Sequence, residues 1–315
     1  MSTTTNYGLN KPAQADFYNV EDFNENMDTL DEEMKKREDA IASIMEVLGD
    51  KDLSGLVIPT LTALADYCQG VGEASKLSLA GFHNSFYRGK YLGTQLTDAQ
   101  SAAIRAGTFK DLYIGDYWTI NGVNWRIAHF DYWYQTGDTN CNTHHVVVVP
   151  DSVLYDAQMN ETNITTGGYP GSKMYTANLA TAKSAVIAAF GSGHVLTHRS
   201  FIANAMTNGY PSAAAWMDSQ VDLMTEEMVY GSPQHKPHSA YASGTNIIIP
   251  WNHTVENRQL RLFALDPQRI VAGRHWWWLR DPVGASVFAH VSGHGLSNSG
   301  GASNSGGVRP AIAIY

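Results

Sequence analysis

The feature that most constrains the fold of this chain is an apolar heptad repeat near its N-terminus. Positions spaced alternately three and four apart form a helical seam with one polar member, Arg37: Val20, Phe23, Met27, Leu30, Met34, Arg37, Ile41, Ile44 and Leu48. A narrow seam predicts a coiled coil between several chains, because a helix packed on its own domain usually shows a wider apolar stripe. A single amphipathic helix is the alternative. The seam alone does not choose between two, three and four strands.

The bulk composition allows a large folded domain and argues against two kinds of partner. Hydrophobic residues make up 43% of the 315 positions, whereas charged residues make up only 16%. The net charge of −9 argues against a nucleic-acid partner, because neutralising phosphates requires a basic surface. No apolar run reaches the roughly 18 residues that a transmembrane helix needs, so we expect no membrane insertion.

The start of the chain and its cysteines bear on where the protein works. The first residues carry neither a basic region nor an apolar core, so we expect no secretory signal and synthesis in the bacterial cytoplasm. Cys68 and Cys141 are the only cysteines and form no CxxC pair, which argues against a disulfide framework and a thiolate metal site. A protein that acts outside the cell without a signal can leave it by lysis, as part of a particle.

The periodicity divides the chain into three expected parts: an attachment segment with the coiled coil at 1–50, a glycine-punctuated helical neck at 51–107, and a ligand-binding domain at 108–315. Helices are predicted over 56–66, 98–105, 173–190, 200–207 and 213–230. Strands are predicted over 112–118, 123–134, 146–149, 246–251, 259–265, 275–279, 286–291 and 308–315. Asn121-Gly122 is typical of a type I′ turn between the first two strands. Strands, then helices, then strands predict an α+β domain with an antiparallel sheet.

Two motifs near the C-terminus enclose a stretch rich in Gly, Ser and Asn. The first is His-Trp-Trp-Trp-Leu-Arg-Asp-Pro at 275–282, and the second is Gly-Gly-Val-Arg-Pro-Ala-Ile at 306–312. We expect both to be structural, because indole rings favour burial and the guanidinium groups of Arg280 and Arg309 can tie loop carbonyls or a carboxylate together. A stretch held rigidly at both ends is a common way to present a binding loop.

These motifs resemble the C-terminal end of the C-type lectin-fold domains allied to formylglycine-generating enzyme. Among these domains are the variable proteins of diversity-generating retroelements, such as the major tropism determinant. Residues 118–126 resemble the opening strand pair of such domains, and 216–219 and 224–231 resemble the helix that follows in gut-bacterial and phage relatives. The resemblance covers about 108–315 and implies a C-type lectin-like fold with a twisted antiparallel sheet and flanking helices. It says less about function, because this fold hosts unrelated activities.

The N-terminus carries a second resemblance. Residues 9–17 and 19–28, with Asn-Val-Glu-Asp-Phe-Asn-Glu-Asn-Met-Asp, resemble the opening of tail-fibre and tail-tip proteins of phages that infect Gram-positive bacteria. Together the resemblances imply a receptor-binding protein of the virion tail, attached to other tail proteins through its N-terminus. They imply a homo-oligomer, with a trimer preferred, that recognises a host cell-surface protein or glycan and is not an enzyme.

The expected ligand-binding residues lie in and beside the enclosed stretch. They are Arg274, His275, Asp281, Val283, Ser286, Phe288, His290, His294, Leu296, Asn298, Ser299, Ser303 and Asn304. Phe288, His290 and His294 are predicted to stack on a sugar or an apolar group, while Asn and Ser supply adaptable hydrogen bonds. Residues 283–307 contain no Lys, Glu, Gln, Met or Trp, which is compatible with diversification by a retroelement at AAC codons.

Catalytic residues, cofactors and metal ions are not expected. Neither cysteine fits formylglycine-generating chemistry, and residues 251–253 and 266–268 depart from the calcium motifs of lectins. The close histidine pairs lack a completing carboxylate, although an oligomer axis could still multiply one histidine into a site. Glu226 and Glu227, with Asp218 and Asp222, are expected to form a solvated helical face. Two alternatives stay open: a surface-polysaccharide depolymerase with a buried pair of carboxylates, and a purely structural tail-fibre or baseplate protein.

Overall fold

The structure is a computed structural model that describes residues 2–5, 9–11, 20–48, 79–235 and 259–315. The chain divides into two compact units, Met1–Cys68 and Gln69–Tyr315. The first unit contains a short antiparallel strand pair, β1 (Ser2–Thr3) and β2 (Asn10–Lys11), and the helix α1 (Val20–Leu48).

Helix α1 confirms the predicted helical span of the heptad repeat. Its described apolar seam side chains are exposed, with Phe23 and Met27 each at 50% and Met34 at 70%. The side chains of the first and the last two seam positions lie outside the described residues. Because most helix stability in proteins comes from covering an apolar face, a helix with this exposed seam has much to gain from a partner.

The second unit combines five helices with twelve strands among the described residues. The helices are α2 (Leu79–His83), α3 (Asp98–Arg105), α4 (Leu179–Phe190), α5 (Glu226–Tyr230) and α6 (Arg261–Leu265). A π-helical turn at Met174–Asn178 precedes α4, and 3-10 turns lie at Ser192–His194 and Pro267–Ile270. Within the part of the chain that the structure describes, no helix is long and apolar enough to span a membrane.

The strands form two five-stranded sheets and one separate hairpin. They are β3 (Tyr117–Ile120), β4 (Val123–Phe130), β5 (Val146–Pro150), β6 (Tyr155–Gln158), β7 (His198–Thr207), β8 (Tyr210–Ser219), β9 (Asp222–Leu223), β10 (Trp277–Pro282), β11 (Val287–Val291), β12 (Ser297–Gly301), β13 (Ser305–Val308) and β14 (Pro310–Ile314). The first sheet has the order β12-β11-β10-β13-β6, the second has the order β3-β4-β5-β14-β9, and β7 pairs with β8. All pairs are antiparallel except β10 with β13. The expected α+β class with antiparallel sheets is therefore confirmed.

Several local predictions are confirmed for clear physical reasons. Helix α3 spans the predicted residues and begins with a capping box, in which Thr97 and Gln100 satisfy each other's backbone N–H groups. Asn121 and Gly122 have φ angles of 51° and 78°, as the type I′ turn between β3 and β4 requires. Strand β5 is a run of buried valines that ends at Pro150.

The helices predicted over 200–207 and over most of 213–230 are wrong. Residues 200–207 and 213–219 lie in the long hairpin β7–β8. Phe201 and Trp216 pack across its strands with ring centroids 5.3 Å apart. The turn is Asn208-Gly209, with φ angles of 53° and 83°, which is the same type I′ chemistry as at 121–122. The many alanines in this segment are typical of a helix. The Asn-Gly turn instead favours antiparallel pairing of β7 with β8. Of the predicted span, α5 alone is helical.

Three further predictions differ from the structure or fall outside it. Residues 259–265 were predicted as a strand, but 261–265 form α6. A strand is predicted over 112–118, but strand β3 begins at Tyr117. The helix predicted over 56–66 and the strand predicted over 246–251 lie outside the described residues.

Residues 79–107, assigned to the neck by sequence, belong to the second compact unit. Asn84 exchanges two hydrogen bonds with the backbone of Phe130, and Arg88 forms an ion pair with the buried Asp116 at 2.6 Å. The end of the predicted neck is thus built into the second unit.

Arg309 occupies the point where the chain passes from the first sheet to the second, between β13 and β14. Its guanidinium is fully buried, donates to the carbonyls of Pro150 at 2.8 Å and Ile270 at 3.2 Å, and lies 5.0 Å from the ring centre of Trp277. The indole N–H of Trp277 donates to the same Ile270 carbonyl at 3.2 Å. Desolvation by burial lowers the pKa of Arg309 to about 10.

We predict that Arg309→Ala lowers the free energy of unfolding by about 3 kcal/mol, because the Pro150 and Ile270 carbonyls each lose a hydrogen bond and a cavity forms. For a unit of this size, the melting temperature should fall by roughly 6–12 °C. Thermal unfolding followed by circular dichroism measures this shift. Arg105→Ala, an exposed change at the end of α3, is the matched control and should have little effect. Equal melting temperatures for the two variants would contradict the role given to Arg309.

Candidate functional site

The stretch between the two C-terminal motifs folds into one edge of the first sheet. It contains β11, the outer strand β12, and the turns at 292–295 and 301–304. The five residues of β12 are Ser-Asn-Ser-Gly-Gly, so the strand presents small, uncharged groups. Strand β11 separates it from β10, which carries the tryptophan motif.

An aromatic cluster supports this edge from within the sheet. The His290 ring lies 4.9 Å from the Trp276 ring and 5.9 Å from the Trp278 ring, and the Trp278 indole donates to the Ala157 carbonyl at 2.9 Å. A Cβ added at Gly306 would collide with the Trp276 ring, so glycine is required for the ring to lie flat on β13. The prediction that the tryptophan motif is structural agrees with this packing.

Glu226 anchors the beginning of β12. Its carboxylate is fully buried and accepts hydrogen bonds from the Ser297 hydroxyl at 2.7 Å and from the backbone N–H groups of Gln234 and His235, both at 3.0 Å. The Nδ1 atom of His235 lies 2.7 Å from the Ser297 hydroxyl oxygen. One buried carboxylate therefore joins α5, the loop that follows it and the edge strand.

Five of the predicted ligand-binding residues are exposed along this edge, and we call them the β12 edge. They are Arg274, His294, Leu296, Asn298 and Asn304. Leu296 is the most prominent apolar member, with 69% of its surface exposed. The β12 edge extends from the turn at 292–295, along the strand, to the turn at 301–304.

The backbone of β12 is partly protected against pairing with another strand. The Ser299 N–H donates to the Asn298 side-chain oxygen at 2.8 Å, so the side chain occupies a group that a foreign strand would use. An outer strand that is uncharged and protected in this way favours contact through its side chains. His275, His290 and Ser299 are half-buried beside it. Partial burial, and then the nearby charge of His235, lower the pKa of His290 and favour its neutral form.

Two predicted binding residues lie in the interior. Phe288 is fully buried in the core, so its ring does not stack on a ligand as expected. Asp281 is also buried, and it accepts a hydrogen bond of 2.6 Å from the Glu226 backbone N–H at the start of α5. Period-2 alternation within β11 places Phe288 and His290 on one face, but only His290 reaches the surface.

Three more predicted residues are half-buried and serve the local fold. Val283 packs against the core, and the carbonyl of Ser286 accepts the Ala302 N–H at 2.9 Å. The hydroxyl of Ser303 donates to the side-chain oxygen of Asn163 at 2.9 Å. Asn163 and His235 were not predicted, since they contact the edge from distant parts of the sequence and no local pattern marks them.

The acidic residues expected on a solvated helix occupy different elements and are largely buried. Asp222, Glu226 and Glu227 are buried, whereas Asp218 lies exposed on β8. Asp222 accepts from the Tyr169 hydroxyl at 3.2 Å and lies 3.5 Å from a guanidinium nitrogen of Arg280. Asp222 and Glu226 therefore take part in interior hydrogen bonds. Among the described residues, no group of three or more His, Cys, Asp or Glu is arranged to hold a metal ion.

The comparisons with known proteins add one partial match. A family model described as a domain of unknown function, DUF6273, matches residues 238–315, about a quarter of the chain. This range contains both C-terminal motifs and the whole β12 edge. No curated protein and no solved structure matches the chain.

We predict that Glu226→Ala loosens the β12 edge, because the Ser297 hydroxyl and two backbone N–H groups lose a buried acceptor. Amide hydrogen exchange at 232–235 and 296–299 should become about tenfold faster or more, and mass spectrometry of the exchanged peptides measures this. Glu161→Ala is the control, since that exposed carboxylate pairs only with Lys173 among the described residues. Unchanged exchange at 296–299 would contradict the anchoring role of Glu226.

Proposed function

We propose that this chain is a receptor-binding protein of a phage tail, which recognises a protein or glycan on the host cell surface through the β12 edge. The observation that carries the proposal is the contrast between an exposed, polar and small-residue edge and the buried strands that hold it. Binding residues commonly lie on variable loops and edges that a rigid framework positions.

The chemistry of the β12 edge suits recognition better than catalysis. It offers amide and imidazole groups for hydrogen bonds, one apolar side chain in Leu296 and one cation in Arg274. This mixture resembles antibody binding loops, where Asn, Ser and Gly supply adaptable hydrogen bonds. Of the buried carboxylates that the depolymerase alternative would use, Glu226 and Asp222 accept hydrogen bonds from groups that hold the fold. Recognition is therefore the better-supported function.

The fold that we propose for the ligand-binding domain is C-type lectin-like. Support comes from the two C-terminal motifs, from the joining of β13 and β14 at Arg309, and from an edge strand enclosed between them. Diversification of residues 283–307 by a retroelement would change mostly side chains that contribute little to packing of the core. The exposed members of the β12 edge fit that requirement, whereas Phe288 and Asp281 do not.

Helix α1 supports a homo-oligomer, and we propose a trimeric coiled coil that joins the chain to other tail proteins in the virion. Its seam follows the 3.5-residue period of a coiled coil, and its described apolar members are exposed. Several weak binding sites on one oligomer would gain avidity through their high effective concentration.

We predict that replacing His294, Leu296 and Asn298 together with Ala weakens binding to host cells at least tenfold, because the edge loses its ring, its apolar contact and its amide. Labelled protein is incubated with a panel of intact Gram-positive strains, and bound fluorescence is measured per cell. The control replaces three exposed side chains elsewhere, Arg105, Lys110 and Lys183.

Two results of this experiment would contradict the proposal. One is equal binding by the edge variant and the control variant to the strains that the unaltered chain selects. The other is an unaltered, folded chain that binds no strain in a panel that includes the natural host. Circular dichroism of both variants establishes that the fold is retained.

We also predict that Ile41→Asp dissociates the oligomer, because it places a charge in the apolar seam. Sedimentation equilibrium should give three times the chain mass for the unaltered protein and a mass near one chain for the variant. Ala42→Asp is the matched control, since it puts the same residue at the next, exposed position outside the seam. A monomeric unaltered protein would contradict the coiled coil.

A further inference from the structure

A pocket of about 550 Å³ lies in the second unit, apart from the β12 edge and sharing no residue with it. It lies between α2, the end of α3 and the loop that follows β4. Its lining residues include Leu79, Ala106, Phe130, Gln135 and His144. Pockets that bind small molecules typically have volumes of about 300–1,000 Å³ and mostly apolar walls with a few placed polar groups.

A hydrogen-bonded histidine lies in the wall of this pocket. The Nδ1 atom of His144 lies 2.7 Å from a carboxylate oxygen of Asp131, and the other oxygen accepts the His145 backbone N–H at 3.0 Å. A carboxylate accepts hydrogen bonds, so Nδ1 of a neutral His144 carries the proton and Nε2 keeps a lone pair. Among the described residues, the structure gives Nε2 of His144 no hydrogen-bond partner.

The imidazole of His144 is held in place on several sides. It stacks on the Tyr134 ring with centroids 4.3 Å apart and planes inclined by 13°, and it contacts the Phe109 ring edge-on at 6.0 Å. A Cβ added at Gly107 would collide with the imidazole, so only glycine allows α3 to end against this ring. A ring fixed in this way can present Nε2 in one direction without losing much conformational freedom on binding.

The backbone around the pocket is unusually strained. Asp131 and Gln135, both in its wall, have φ angles of 58° and 57°, in the left-handed region that is uncommon for residues other than glycine. Phe109, which contacts His144, has a φ of 48°. Such conformations cost of order 1–3 kcal/mol each and cluster at functional sites, where the surrounding structure maintains them.

The charge of the wall restricts the ligand. Among the described residues, no Lys or Arg lines the pocket, so this part of the wall offers an anion no cationic partner. The Asp131 carboxylate already accepts hydrogen bonds from His144 and His145, so it is less able to pair with a cationic ligand. The groups that remain include an imidazole acceptor, the exposed amide of Gln135, and apolar contacts from the exposed Leu79 and Ala106.

We propose that this pocket binds a small neutral polyhydroxyl ligand, a mono- or disaccharide, with a hydroxyl donating to Nε2 of His144. The carbon faces of the sugar would pack on the apolar wall, and the Gln135 amide would bind a second hydroxyl. Because the pocket and the β12 edge use different residues, this site is tested independently of host recognition through the edge.

The test uses the full chain and saturation-transfer difference NMR with named probes. The neutral probes are glucose, galactose, N-acetylglucosamine and N-acetylgalactosamine with their common disaccharides, and the charged comparisons are N-acetylneuraminic acid and glucosamine. At least one neutral sugar should bind, and the charged sugars should bind more weakly. Binding should fall about tenfold in His144→Phe, which keeps the ring stacking and removes both nitrogens.

A second pair of variants does not disturb the buried carboxylate. Ala106→Trp adds a large side chain at an exposed position in the pocket mouth and should abolish binding, whereas Ala102→Trp on the same helix lies outside the pocket and should preserve it. Three results would overturn the proposal: no neutral sugar binds the folded chain, a charged sugar binds more tightly than every neutral one, or binding survives in Ala106→Trp.

Discussion

The buried guanidinium of Arg309 is the contact on which the arrangement of the second unit depends. The chain leaves the first sheet at Val308 and enters the second at Pro310, so Arg309 lies at a crossing between the two sheets. Residues 151–154 form another crossing, between β5 and β6. Removing a guanidinium from water costs several kcal/mol, and here carbonyl acceptors, aromatic faces and the charge of the Asp151 carboxylate offset that cost. The planar guanidinium has several donors in fixed directions, which suits the two carbonyls at this crossing. The ammonium group of a lysine is a compact charge on a flexible stem and lacks this fixed geometry.

The position of Arg309 explains how the β12 edge can be exposed and still well defined. Trp277 shares the Ile270 carbonyl with Arg309, and the neighbouring Trp278 packs beneath His290. The contacts around Arg309 thus hold β10 in place, and β10 in turn supports β11. The outer strand β12, with its small residues, lies beyond these contacts. The buried Glu226 fixes the other side of that strand. Substitutions at the exposed positions of the β12 edge should therefore leave the core unchanged.

Sequence predicted the parts of this fold that local chemistry determines. The capping box of α3, the turn at 121–122 and the valine run of β5 each carry a short-range pattern that few structures satisfy. The hairpin β7–β8 was mistaken for helices because alanine is common in it, although Asn208-Gly209 carried the same turn pattern. Five of the residues predicted to bind a ligand are exposed, whereas Phe288 is buried, because alternation along a strand does not show which face the rest of the fold covers. The pocket at His144 depends on residues from 79 to 144 meeting in space, and no single motif reports that.

The separation between a fixed framework and a variable edge is tested most directly by saturation mutagenesis of 274–307, scored in parallel for folding and for the strains that each variant binds. We expect substitutions at Arg274, His294, Leu296, Asn298 and Asn304 to preserve folding and to change the strains bound. We expect substitutions at Asp281 and Phe288 to reduce folding. Retained strain preference across all folded variants of the exposed positions would contradict recognition through the β12 edge.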